Sequence, residues 1–246
     1  MRRNPANSGT RKTDNRLIGY GGPSSIGRMN ANPQPEPAKT PPGPVNNPPE
    51  PAKSPPEPVE ALIVVDVQSA FFAGEGAAPH AAAVQERTED LVDRARAAGA
   101  LIVHLQNDGA PGMSDEPGTQ GWELHLPVTP GPREVVIRKT LDDGFHETPL
   151  GELLTETGVR SLAVCGVMSE MCVLGTARTA LEREYRVVLP HDAHGTYDVP
   201  PAPGETEGVP AAMASRVAEW ALGDEVEIVA YAKDVPFQAP PGPAAT

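Results

Sequence analysis

Three residues of different chemistry follow runs of apolar residues. Asp66 closes Ala61-Leu-Ile-Val-Val65, Lys139 closes Glu134-Val-Val-Ile-Arg138, and Cys172 lies just past Ser161-Leu-Ala-Val-Cys165. A thiol can attack a carbonyl carbon, while a carboxylate can take its proton and return it to a leaving group. Cys172 opens an expected helix, whose positive end and unpaired N–H groups favour thiolate, and a neighbouring lysine adds to that effect. Strand ends in any fold of this kind carry polar residues, so on placement alone a structural role for the three stays open.

The elements that must position them alternate. The five residues 61–65 are continuously apolar, as expected of a strand covered on both faces. Ala81, Val84, Thr88, Leu91, Val92, Ala95 and Ala98 then share one helical face, and Gly99 stops that helix. Further strands are expected at 100–104, 134–138, 161–165, 185–189 and 226–230. Helices are expected at 148–157, with Thr148 as N-cap, at 170–184, and at 209–221. In the last of these Val209, Ala212, Met213, Val217, Trp220 and Ala221 form the apolar face. Strands alternating with helices of this length imply right-handed crossovers and an α/β fold: three layers, α/β/α, around a mostly parallel six-stranded sheet. In such folds the site lies at the carboxyl ends of the strands, where Asp66, Lys139 and Cys172 fall.

Composition divides the chain. Of 30 prolines in 246 residues, 14 lie in residues 1–60, where Glu36-Pro-Ala-Lys-Thr-Pro-Pro-Gly-Pro-Val45 nearly returns as Glu50-Pro-Ala-Lys-Ser-Pro-Pro-Glu-Pro-Val59. That stretch reads as a disordered tail sampling extended polyproline conformations. The domain is expected over 61–232, with a flexible C-terminal tail at 233–246. The tail carries a net +3, so the overall −13 leaves −16 on residues 61–246, which argues against a nucleic-acid partner. Two cysteines make no disulfide framework and suit a reducing compartment. No apolar run is long enough to span a bilayer, and no apolar stretch follows the basic start, so no membrane partner and a cytoplasmic location are expected.

The same residues resemble a known family. Asp66 in VVDVQSAFF, Lys139 in VVIRKTLDDGFHETPL, and Cys172 in CGVMSEMCVLGTARTAL, followed by YRVVLPHDAHGTYD, resemble the isochorismatase-like cysteine hydrolases. That superfamily includes nicotinamidases, N-carbamoylsarcosine amidases, ureidoacrylate amidohydrolases and streptothricin hydrolases. The resemblance covers about 61–232. It implies a catalytic Asp66, Lys139 and Cys172 and an acyl-thioester intermediate. It also implies an oxyanion hole from the N–H groups of Met168 and Cys172, with a cis peptide between Val167 and Met168. SEMCV and HDAHGTYD lean toward a streptothricin hydrolase-like amidohydrolase that opens a lactam.

Other residues carry weaker expectations. Gln68, Phe71, Trp122 and Phe145 are expected at a substrate pocket, against the plainer readings of a satisfied strand-end amide and ordinary packing. Cys165 reads as a buried small hydrophobe. His191 and His194 read as hydrogen-bonded loop histidines before metal ligands, and the Asp-x-His motif of nicotinamidases is absent from the segment running from His104 to His125. No metal and no cofactor are expected. Asp142 and Asp143 stand where many relatives carry a small residue and Ser, and read either as solvated carboxylates or as charges that select a cationic substrate; the partner is read as a small amide or lactam. A homo-oligomer stays open. The competing functions are an isochorismatase-type vinyl ether hydrolase, and an inactive binding module with a Pro-rich docking tail.

Overall fold

The computed structural model describes residues 56–242. Most of the expected Pro-rich tail and the last four residues lie outside them. The strands are β1 (Ala61–Val65), β2 (Leu101–Asn107), β3 (Glu134–Lys139), β4 (Ser161–Val167), β5 (Arg186–Pro190), β6 (His194–Gly195) and β7 (Glu227–Val229). The helices are α1 (Ser69–Phe72), α2 (Ala81–Ala98), α3 (Leu150–Thr157), α4 (Leu174–Glu182) and α5 (Ala211–Ala221).

The strand order is β3-β2-β1-β4-β5-β7, with β6 beside β4 and every pairing parallel. The expected six-stranded sheet thus gains a seventh, two-residue strand. The chain runs outward from β1 to β3, then returns to β4 on the other side of β1. The connections after β1 and β4 therefore diverge, which opens a crevice at their carboxyl ends.

Alternation along β1 feeds two cores. Ala61, Ile63 and Val65 share a core with Leu150 and Leu154 of α3, Ala177 of α4, and Val173 just before α4. Leu62 and Val64 pack on the other face with Val84, Leu91, Val92 and Ala95 of α2. Burial of branched side chains on both faces, worth about 1.5–3 kcal/mol each, explains why the central strands read as unbroken apolar runs.

Two expectations are overturned. The apolar face expected for the last helix points outward: Met213, Val217 and Trp220 are 59%, 61% and 76% exposed. α5 instead buries Ala211, Ala214, Ser215, Ala218 and Glu219. Small residues let it lie close against the turn after β4, where Ser215 meets Ser169, while Glu219 meets His191 and His194 after β5. Residues 233–238 are also no loose tail. Val235 is fully buried, the Val59 N–H donates to the Pro236 carbonyl while the Val59 carbonyl accepts from the Gln238 N–H, and the Arg94 guanidinium donates to the carbonyls of Ala232 and Val235. The pairing of Val59 with Phe237 extends the domain at both ends.

Candidate active site

β1 ends abruptly at Asp66, whose φ of 50° turns the chain out of the strand while its N–H still bonds the Leu105 carbonyl. Such a conformation is uncommon for a residue other than glycine, and Asp tolerates it better than most. Beside it, Gly166 of β4 adopts φ 118°, and a Cβ there would stand 2.0 Å from the Val65 carbonyl oxygen. Only glycine lets β1 and β4 approach this closely at the crevice.

Lys139 ends β3, two strands away, and its side chain crosses the end of β2. Its Nζ lies 2.7 Å from Asp66 Oδ2, 3.2 Å from Cys172 Sγ and 3.3 Å from Asn107 Oδ1. The three predicted residues thus meet around one ammonium, and all are buried: 2%, 3% and 9% exposed for Asp66, Lys139 and Cys172. Asn107 also belongs to the cluster and was not singled out. It is held through its Nδ2 to Asp115 at 2.7 Å, and its signal is weaker than that of Asp66, because His104 and Gln106 interrupt the apolar run that it ends.

Cys172 sits in a π-helical turn, Ser169–Val173, that precedes α4. The peptide bond between Val167 and Met168, just before this turn, is cis. The helix end and Lys139 are expected to favour thiolate, and burial acts in the other direction. Burial pushes the Cys172 thiol well up, the Asp66 charge adds to that, and Lys139 offsets only part. Burial likewise raises Asp66 above the usual carboxylate range despite Lys139. Burial works against the Lys139 ammonium, but Asp66 and Cys172 outweigh it and hold the lysine charged. Asp66 Oδ1 is buried and has no hydrogen-bond partner. An acceptor left open in this way, beside a neutral thiol, is placed to receive a proton.

The expected pocket residues separate. Gln68 is fully buried and clamps the chain: its Nε2 donates to the carbonyls of Asn107 and Trp122, and its Oε1 accepts from the Asn107 N–H. It is a satisfied strand-end amide. Phe145 is 5% exposed, stacked near Tyr185 with Arg183 over its ring, so it belongs to the core beneath the site. Its apolar faces are already occupied, which corrects its reading as a pocket wall. Phe71 and Trp122 are partly exposed. The Trp122 indole donates to Asp108 at 2.8 Å and carries Arg138 over its ring.

Asp142 and Asp143 also part company. Asp143 is used internally, accepting from the Phe145 N–H and the Thr179 hydroxyl, both at 2.9 Å. Asp142 is exposed, with Oδ1 3.6 Å from the Cys172 sulfur.

Behind the π turn lies a second buried polar group. Ser169 Oγ is 2.8 Å from His194 Nδ1 and 2.9 Å from Ser215 Oγ. His194 Nε2 and His191 Nδ1 reach the same Glu219 oxygen at 3.1 and 2.5 Å. The two histidines are hydrogen-bonded, and Ser169, Ser215 and Glu219 are members that the sequence reading missed, Glu219 being the charged one. Its signal is faint: a carboxylate on the small-residue face of α5, spaced with Ala211, Ser215 and Ala218. Cys165 is fully buried, which pushes its thiol up to about 12. His104 pairs with Glu134 at 3.1 Å, and His125 with Ser69 and Gln85.

The fold is thus a doubly wound α/β sheet with Asp66, Lys139 and Cys172 gathered at its switch point. The Isochorismatase domain matches residues 60–218, and the chain belongs to the isochorismatase family. It is similar to a streptothricin hydrolase of Streptomyces noursei, 69% identical over 186 residues, which are 76% of this chain and 74% of that one. A ureidoacrylate amidohydrolase of Klebsiella pneumoniae is 31% identical over 58% of this chain and 75% of its own. Among solved structures, an isochorismatase from Pseudomonas putida superposes with a TM-score of 0.66 at 29% identity, covering 74% of this chain and 93% of that one.

Proposed function

We propose that the protein is a cysteine-dependent amidohydrolase that cleaves the C–N bond of a small amide or lactam through an acyl thioester on Cys172. The observation that carries this is the Lys139 ammonium shared by Asp66 and Cys172, with Asp66 Oδ1 left open. On substrate binding Asp66 takes the thiol proton and Sγ attacks the carbonyl carbon. Desolvation, which raises the proton affinity of Asp66, makes it a better base than an exposed carboxylate. The resulting oxyanion is received by the N–H groups of Met168 and Cys172, two donors that can lower the barrier by about 3 kcal/mol each. Collapse breaks the C–N bond as Asp66 returns the proton to the departing nitrogen. Asp66 then takes a proton from water, whose oxygen attacks the thioester, releasing the acid and restoring the thiol. Phe71 and Trp122 flank the substrate in this reading.

Likeness to the streptothricin hydrolase makes streptothricin the first lactam to test. A vinyl ether hydrolase would need a proton donor and no thiol, so the contact of Lys139 with Cys172 favours the amide reading. A reducing cytoplasm suits a thiol that must stay reduced.

The test is a screen of streptothricin, simple lactams, primary amides and carbamoyl compounds, read as water added to the lactam or as ammonia or amine released. Cys172→Ala is the control. Turnover by the native chain and none by the variant is expected. Streptothricin left intact while simple amides are hydrolysed would remove that substrate and keep the chemistry; no release from any compound would overturn both.

A further inference from the structure

The chemistry proposed above accounts for one carboxylate near the sulfur, and the structure holds two. Asp142 Oδ1 is 3.6 Å from Cys172 Sγ, on the side open to solvent. Its position is built. The Asp142 carbonyl accepts from the Thr176 hydroxyl of α4, and Gly175 lies directly under the Asp142 backbone, where a Cβ would come within 3.4 Å. Two residues on, the Gly144 N–H donates to that same Thr176 oxygen at 2.9 Å, and a Cβ on Gly144 would stand 2.4 Å from the Leu105 side chain. The loop is thus tied to the first turn of α4, with the Asp142 carboxylate held at the mouth and Asp143 turned inward.

This placement is costly for catalysis unless something answers it. A carboxylate beside a sulfur that must become an anion opposes that step. Among the described residues no Lys, Arg or His forms an ion pair with Asp142. The one ammonium at the site, that of Lys139, is engaged by Asp66, Cys172 and Asn107. The same crevice holds the buried, unpartnered Asp66 Oδ1, so two acceptors face the place where substrate must lie.

We propose that Asp142 is a specificity-determining residue that binds a cationic group of the substrate close to the scissile bond. The distances set how close. The carbonyl carbon must come within about 3.5 Å of the sulfur, and a charged N–H donor sits about 2.8 Å from its carboxylate. With Oδ1 at 3.6 Å from the sulfur, the cationic nitrogen lies at most about 10 Å from the carbonyl carbon, and a nitrogen three bonds away, as in a β-amino amide, falls within that limit. The substrate class is an amide or lactam bearing an ammonium or guanidinium at that separation. When it binds, its charge cancels that of Asp142 as the thiolate forms, so the correct substrate also removes the obstacle to attack. This inference rests on Cys172 being the nucleophile.

Two measurements on the full chain test it. The first labels Cys172 with methanethiosulfonates carrying a trimethylammonium, a neutral methyl or a sulfonate group, with the site identified by mass spectrometry. Native protein is expected to react faster with the cationic than with the anionic reagent, and Asp142→Asn to lower that ratio about tenfold or more. Asp143→Asn, whose carboxylate faces inward, is expected to leave the ratio within about twofold. The second compares ammonia release from β-alaninamide and from its neutral isostere butyramide. Native protein is expected to favour β-alaninamide about tenfold in kcat/KM, and Asp142→Asn to erase the preference. An unchanged ratio in Asp142→Asn overturns the proposal. So does an equal change with all three reagents, which would mean that Asp142 acts on the thiol and not on incoming charge. If neither amide is turned over, the labelling ratio decides. Failure here leaves the thiol mechanism standing, whereas turnover by Cys172→Ala removes that mechanism.

Discussion

Two buried polar clusters flank the turn that carries Cys172, and they are built on opposite terms. In front, Asp66 has one carboxylate oxygen with no partner, and burial holds both its proton affinity and that of the thiol high. Behind, Ser169, Ser215, His191, His194 and Glu219 form a connected chain of hydrogen bonds. Burial would raise the Glu219 carboxyl too, but bonds from His194 and His191 outweigh it and hold the group below the usual carboxylate range. The same burial therefore gives a reactive carboxyl on one side and a settled carboxylate on the other. What differs is whether every lone pair is used. The rear cluster ties the turn down through Ser169, and the front cluster is where the proposed chemistry takes place.

That contrast can be broken by substitution. Asp66→Asn is expected to lower turnover by two to four orders of magnitude, read as initial rates with the fold checked by circular dichroism. Glu219→Gln is expected to reduce turnover less than about tenfold while costing about 2 kcal/mol of stability in urea titration, because it weakens charge-assisted bonds to two histidines and Arg216. A large rate loss in Glu219→Gln with stability intact would put the rear cluster into the chemistry.

Acid sharpens the comparison with a smaller effect. The folded pKa of Glu219 lies below its unfolded value of 4.5, so its stabilisation is present above that pH and is lost as pH falls through the folded value. Asp66 has the opposite sign. Its folded pKa lies above the unfolded 3.8, so its contribution is present below that pH and is lost as pH rises through the folded value. Urea midpoints measured from neutral pH down through 4.5 are expected to fall less in Glu219→Gln than in the native chain.

Asp66, Lys139 and Cys172 of the front cluster were legible in the sequence because each follows a strand signal, and a parallel sheet brings the carboxyl ends of its strands together. The rear cluster was not, because its members come from the β4 turn, the loop after β5 and α5, and only folding joins them. The orientation of α5 failed for the same reason. Its outward residues are the more apolar, yet Ser215 and Glu219 decide which side faces in, through partners up to 46 residues away. Residues 233–238 looked like a tail because what orders them is pairing with Val59 at the far end of the domain. The effect of burial on Cys172 was not legible, because the helix end and lysine are local signals, whereas desolvation depends on how completely the crevice is enclosed.

Turnover by Cys172→Ala tests the central claim most directly. With the substitution confined to the sulfur and folding confirmed by an unchanged cooperative unfolding transition, the covalent account predicts a rate below about a thousandth of the native value. A rate within tenfold of native would contradict it.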